Sequence, residues 1–181
     1  MNNISKTSEE RTVRATTQNI KRRVLLAGAA LALLLTSSFV ASTAFATSGN
    51  GVVPTPITSG VLPEPIRVKL KDHEGFGNGT AVSNINIVKY TVAPGGKFGW
   101  HQHSGPVWVV VQSGILTYYG AEDPTCTGQA FSAGSAFLDA GDHTHNARNE
   151  TNAPVEIYAV FMLPAGGPVR IDMPDPGVCN F

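Results

Sequence analysis

Two histidines separated by one residue stand in Gly95-Gly96-Lys97-Phe98-Gly99-Trp100-His101-Gln102-His103, and a third follows at His145 with Asn149 four positions on. Imidazole is a neutral, borderline ligand that suits zinc, copper, iron and nickel. Alternate side chains of a strand share a face, so one strand can offer His101 and His103 to the same ion. His145 would then reach that ion from a second strand. The chemistry implied is that of one divalent transition metal (iron, manganese, nickel, copper or zinc) held by three histidines, with coordination positions left open.

The flanking residues extend the pattern. Gly95 lies six positions before His101, Gly114 follows the apolar run Val107-Trp108-Val109-Val110-Val111, and Gly134 opens a second segment ending in His145 and Asn149. In order and spacing these two segments resemble the two motifs of the cupin superfamily, over roughly residues 80–164, and are most similar to small, secreted, single-domain bacterial cupins. The resemblance implies an all-β chain folded as a cupin-type β-barrel, or double-stranded jelly roll. It also implies a homodimer, and a supporting role for Asn149 around the second motif. Two departures from the family pattern stand out. The glutamate ligand usual four residues after the second histidine is replaced by Val107. The second motif lacks its usual proline near Asp139 or Ala140 and carries one extra residue between Gly141 and His145.

Strand parity gives the expected geometry. If the chain runs without a bulge, His101, His103, Val107, Val109 and Val111 share an inner face, and the three valines form a pocket wall beside the metal. Trp100, Gln102, Trp108 and Val110 then point the other way. His143 has the parity of His145 and could add a ligand or a proton relay, although it adjoins the Gly141-Asp142 turn. Without the glutamate, the ion's charge is uncompensated and the site has lost a carboxylate that could act as a base. Glu122, Asp139 and Asp142 could replace it if their loops fold inward. His73 reads as a solvated residue.

The elements that must position this site read as short strands. Gly 19 and Pro 12 in 181 residues, between Val/Ile/Phe-rich runs, favour many strands over helices. Strands are expected at residues 82–92, 107–112, 115–119, 134–138, 144–148 and 155–163, with Pro94-Gly95-Gly96 as a reversing turn. Residues 66–71 alternate apolar and basic as an edge strand would, one that could also pack onto a second subunit. Residues 72–79 read as a glycine-rich loop. Residues 47–65 hold Pro54, Pro56, Pro63, Pro65 and three glycines and read as a Pro/Gly-rich linker ahead of a cupin domain with a C-terminal tail at 66–181.

Residues 1–46 read as a secretory signal peptide. Lys21-Arg22-Arg23 precedes an apolar run over 24–35, and Ala44-Phe45-Ala46 offers a small-x-small cleavage site, leaving Thr47 as the new terminus in the cell envelope or outside it. The alternative is an uncleaved anchor, which the hydroxylated residues 36–38 and 42 argue against. Of 13 Lys/Arg the leader holds six, and of 13 Asp/Glu it holds two. The remainder keeps seven and eleven, a formal charge of −4 with no basic cluster, which excludes nucleic acid as an expected partner. Cys126 and Cys179 read as a disulfide in an exported chain, contributing roughly 4 kcal/mol in the chain-entropy view; two free thiols are the alternative. The functional expectation is a metal-dependent, dioxygenase-like enzyme acting on a small organic molecule. A non-catalytic small-molecule or metal-binding module of the envelope competes with it, and a purely structural β-sandwich is a third reading.

Overall fold

The computed structural model describes residues 48–70 and 79–181. The segment 1–46 read as a signal peptide, His73 and nearly all of the 72–79 loop lie outside the described residues. The described residues form ten strands: β1 (Asn50–Val68), β2 (Thr80–Lys97), β3 (His101–Gln102), β4 (Val107–Ser113), β5 (Ile115–Gly120), β6 (Gln129–Ser132), β7 (Ala136–Asp139), β8 (His145–Arg148), β9 (Val155–Leu163) and β10 (Ile171–Asp172). Every pairing is antiparallel. One path runs β10-β3-β8-β2-β9-β4-β7, with β1 on β2, β5 on β8 and β6 on β5, which curls into a nearly closed barrel.

Period-two patterning explains the strands of the core. In β9 every second residue (Val155, Ile157, Ala159, Phe161 and Leu163) is buried, and in β4 Val107, Val109 and Val111 are buried while Trp108 and Val110 are exposed. These residues, with Val92, Leu116 and Ala147, make one core cluster. Each large apolar side chain so enclosed contributes roughly 1.5–3 kcal/mol.

Residues 47–65 are a correction to the sequence reading. Nearly all of them belong to β1, which pairs along β2 from Asn50↔Lys97 to Val68↔Thr80. Proline breaks a strand bonded on both edges, but among the described residues β1 pairs with β2 alone, and a strand that uses one edge has no need of the N–H groups that Pro54 and Pro56 lack. Pro63 and Pro65 fall inside the register shift between Val61 and Ile66, where the ladder is interrupted.

The expected reversal at Pro94-Gly95-Gly96 is also corrected. β2 runs through it to Lys97, with Gly95 at φ 70°. The kink hands β2 from β9, its partner up to Val92↔Val155, to β8, its partner at Lys97↔Arg148. Gly95 N–H donates to Asn149 O and Asn149 N–H to Gly96 O, both at 2.9 Å, across this corner. The strand therefore changes sheets without turning back, as barrel corners require.

Candidate metal centre

Gly99, at φ 76°, redirects the chain immediately before β3, so that His101 enters the barrel opposite His145, its partner in the β3/β8 ladder. His103 follows on the same face. After it the chain bends over residues 104–106 and resumes as β4. This bend is closed by backbone contact between glycines: His103 N–H donates to Gly141 O at 2.7 Å, and a Cβ on Gly141 would lie 2.4 Å from Gly105 O. Beyond the bend Val107, Val109 and Val111 are buried as the expected parity requires.

The ring centroids of His101, His103 and His145 lie 4.9, 4.3 and 5.1 Å apart for the 101/103, 101/145 and 103/145 pairs, and one ligand atom from each comes within 4.8 Å of the others. Their other nitrogens are occupied. Nδ1 of His101 faces Gly99 O at 2.7 Å, Nδ1 of His103 faces Val169 O at 2.5 Å, and Nδ1 of His145 faces His143 O at 3.0 Å with Asp139 Oδ2 at 3.1 Å. A carbonyl oxygen only accepts, so each Nδ1 carries the proton and each Nε2 keeps its lone pair for the shared space. Nitrogens on one tetrahedral ion at about 2.1 Å stand about 3.4 Å apart, so closure asks for shifts on the order of 1 Å. Orientation of the imidazoles by second hydrogen bonds is the arrangement a metal centre needs.

Electrostatics keep the cluster neutral. Burial, followed by neighbouring imidazoles, pushes His101 far below the ordinary histidine value; burial likewise lowers His103 and His145 to about 4. Neutral imidazole is the ligating form. Asp139 is buried, and burial raises its carboxyl above the usual range; it accepts from Tyr118 Oη at 3.1 Å and from Gly141 N–H at 2.6 Å. Tyr118 stacks on His145 at 5.1 Å, and burial, then Asp139, pushes its phenol upward.

The three histidines line a cavity of about 250 Å³ together with Val107, Val109, Leu116, Phe137, Ile157 and Phe161 among other apolar residues. Val111 does not reach it; although buried on the same face, it lies deeper in the core. His143 does not join the cluster either. Its side chain faces Glu122 at 3.2 Å and Asp142 at 3.5 Å, because β8 begins only at His145 and strand parity does not extend back into the bend. Of the three proposed replacement carboxylates, Asp139 lines this cavity, whereas Glu122 and Asp142 do not.

Asn149 is buried behind the strands, donating to Val92 O and Ala153 O and accepting from the Thr151 backbone N–H and hydroxyl. Cys126 and Cys179 are joined, anchoring the C-terminal segment to the loop after β5. Sequence reasoning missed Tyr118, the pairing of Asp139 with His145, and Arg170, which also lines the cavity. Tyr118 has inward parity with Leu116 and could have been found; Arg170 carries no such signal.

A family model described as a cupin domain matches residues 88–161. Similar solved structures include a cupin-like protein from Thermotoga maritima, 15% identical over 72% of this chain and 80% of that one with TM-score 0.49. The Cupin_2 domain of an XRE family transcriptional regulator from Enterobacter cloacae is 19% identical over 64% and 99%, TM-score 0.42. A cupin domain from Bordetella pertussis is 20% identical over 56% and 96%, TM-score 0.40. No curated protein matches the sequence. The segment 88–161, which carries all three histidines, thus matches the cupin domain model, and the antiparallel barrel built around it has the cupin fold.

Proposed function

We propose that this chain is a small secreted cupin that acts as a metal-dependent, dioxygenase-like enzyme on a small organic molecule, with one divalent transition metal on His101, His103 and His145. One observation carries the reading: three neutral imidazoles, each with Nδ1 already engaged, turn their remaining nitrogens toward one point in the wall of an apolar cavity. The donor set fits a borderline metal. When bound, such a metal supplies Lewis acidity and, if redox-active, electron exchange with dioxygen. Asp139 and Tyr118 hold His145, the carbonyls of Gly99 and Val169 hold the other two rings, and the apolar wall excludes water from the ligand. Val107 contributes no charge where resembling proteins place a carboxylate.

The reading extends to export with cleavage after Ala46 and to a homodimer. The joined Cys126 and Cys179 are in keeping with export, and exposed Val53, Ile57, Val61 and Ile66 along β1 with a second subunit. The test is elemental analysis of protein recovered from its own compartment, then oxygen consumption with phenols and diketones, alongside intact mass and light scattering. Turnover with a redox metal, abolished in His103→Ala, supports the enzyme. Zinc or no metal, with no oxygen uptake, overturns it in favour of a binding module. A retained leader sinks the export claim.

A further inference from the structure

Arg170 sits in the segment that crosses from β9 to β10 beside the histidines. Its backbone is pinned on both sides: Val169 O receives His103 Nδ1, Ser104 Oγ donates to Pro168 O, and Ile171 and Asp172 pair with Gln102 and His101. The guanidinium is thus held in the cavity wall by the same strap that orients a ligating imidazole. Its Nε donates to Asp172 Oδ1 at 2.5 Å, and Asp172 is itself half exposed. Its second terminal nitrogen is different: shielded from solvent, it meets no hydrogen-bond acceptor.

A buried, charged donor without an acceptor is among the costlier arrangements a fold can hold, and one kept at a cavity wall is set up for an acceptor that arrives with a ligand. The charge of the cavity points the same way. Arg170 is the one Lys or Arg among the described residues lining it, and its field reaches all three imidazoles and Tyr90. Asp139 is the one lining carboxylate, and its oxygens are already engaged by Tyr118, Gly141 and His145. Val107 adds no negative charge. Arg148 also has buried, unmatched nitrogens, but its guanidinium lies over the Phe181 ring at 3.7 Å and it does not line this cavity.

We infer that Arg170 selects an organic oxyanion: the cavity's ligand carries a carboxylate, or an ionised phenol or enol, that pairs with the free edge of the guanidinium while its apolar body rests against Val109, Leu116, Phe137, Ile157 and Phe161. At about 250 Å³ the cavity is just below the usual range for drug-sized ligands, which suits one substituted ring or a short chain. The inference deepens the proposed function by naming the substrate class of the same site, and Arg170 acts in it as a specificity residue.

The experiment is run first on metal-free protein in chelator, so that it does not depend on the metal. Benzoate and hexanoate are titrated by calorimetry against their neutral amides, benzamide and hexanamide, with 4-nitrophenolate at alkaline pH as the phenolate arm. At least one oxyanion is expected to bind about tenfold or more tightly than its neutral counterpart, the scale of a hydrogen bond to a charged group. Arg170→Gln should erase that preference while leaving amide binding unchanged, and Arg170→Lys should keep part of it. Asp172→Asn should leave it intact, because Asp172 is bonded to Nε and not to the unmatched terminal nitrogen. Equal binding of anion and amide by the parent, or an anion preference that survives in Arg170→Gln, overturns the inference. Should Arg170→Gln not fold, the parent contrast and Arg170→Lys decide alone: a preference that is reduced but present in Arg170→Lys supports the inference, and equal parent binding, or a preference undiminished in Arg170→Lys, overturns it. Metal content, measured separately on the same preparations, tests the proposed function; its failure leaves the anion contrast standing.

Discussion

Val107→Glu tests the register of the site most directly. Val107 is 1% exposed, lines the cavity with the three histidines, and stands opposite Asp139 in β7 and Phe161 in β9. A glutamate there places a carboxylate in an apolar wall beside a second buried carboxyl. In metal-free protein the one cation among the described residues lining the cavity, Arg170, is already paired with Asp172, and a buried carboxylate so poorly compensated costs about 3–5 kcal/mol. The new carboxyl relieves part of that by remaining protonated. At this chain length a loss of that size lowers the thermal midpoint by roughly 10 °C. A divalent ion reverses the balance, because the carboxylate becomes a fourth ligand. Each tenfold gain in affinity adds about 1.4 kcal/mol of metal-induced stabilisation. Midpoints should therefore diverge in chelator and converge with excess metal, with the variant gaining more from the ion than the parent does. Any native turnover should fall, since an open position is filled and the ion's Lewis acidity reduced. The assay is scanning calorimetry of both proteins with chelator and with a metal series, backed by elemental analysis. Equal metal-induced stabilisation in the two proteins would show that position 107 does not face the cluster, and the register argument would fail.

Three other outcomes follow from the same geometry. Asp139→Asn should weaken metal binding about 10–100-fold, because His145 Nδ1 loses a charged acceptor and retains only His143 O; dye competition measures it, and unchanged affinity counts against the positioning role. Metal-free stability should be full above about pH 6.5 and decline toward pH 4. There the unfolded chain takes up protons on His103 and His145 that the folded state refuses, costing up to about 2 kcal/mol per group at pH 5, partly offset by proton uptake on raised Asp139; a flat urea midpoint between pH 7 and 5 refutes it. Replacing Cys126 and Cys179 by serine should cost roughly 4 kcal/mol for the 53-residue separation they close, and should loosen metal retention as well, since the strap they anchor supplies Val169 O to His103; loss of stability without change in metal affinity would separate tail from site.

What the sequence made legible was whatever repeats with a period of two over a few residues. His101 and His103 share a face for the same reason that Val107 and Val109 do, and β9 alternates so regularly that its inner residues are countable from the text alone. Illegible were the features fixed by which strand lies beside which. The prolines of β1 mark a linker until one sees that the strand uses a single edge, and the glycines at 95 and 96 mark a turn until one sees that β2 must leave β9 and meet β8. Trp100 points away from the metal face as parity requires, yet it is buried, because Tyr119 and the tail around Cys179 fold over it. That tail is the instructive case. It has no periodic pattern, but by covering Trp100 it brings Val169 O to His103 and Arg170 to the cavity, 66 and 67 residues in sequence beyond His103. The cupin motifs thus announce where a metal can sit, and the charge that can discriminate among its ligands arrives from a segment outside both motifs. Relatives that share the histidines but differ in this strap are therefore expected to share the metal centre and to differ in ligand, which makes Arg170, more than any residue of the two motifs, the position at which substrate preference in this barrel should be sought.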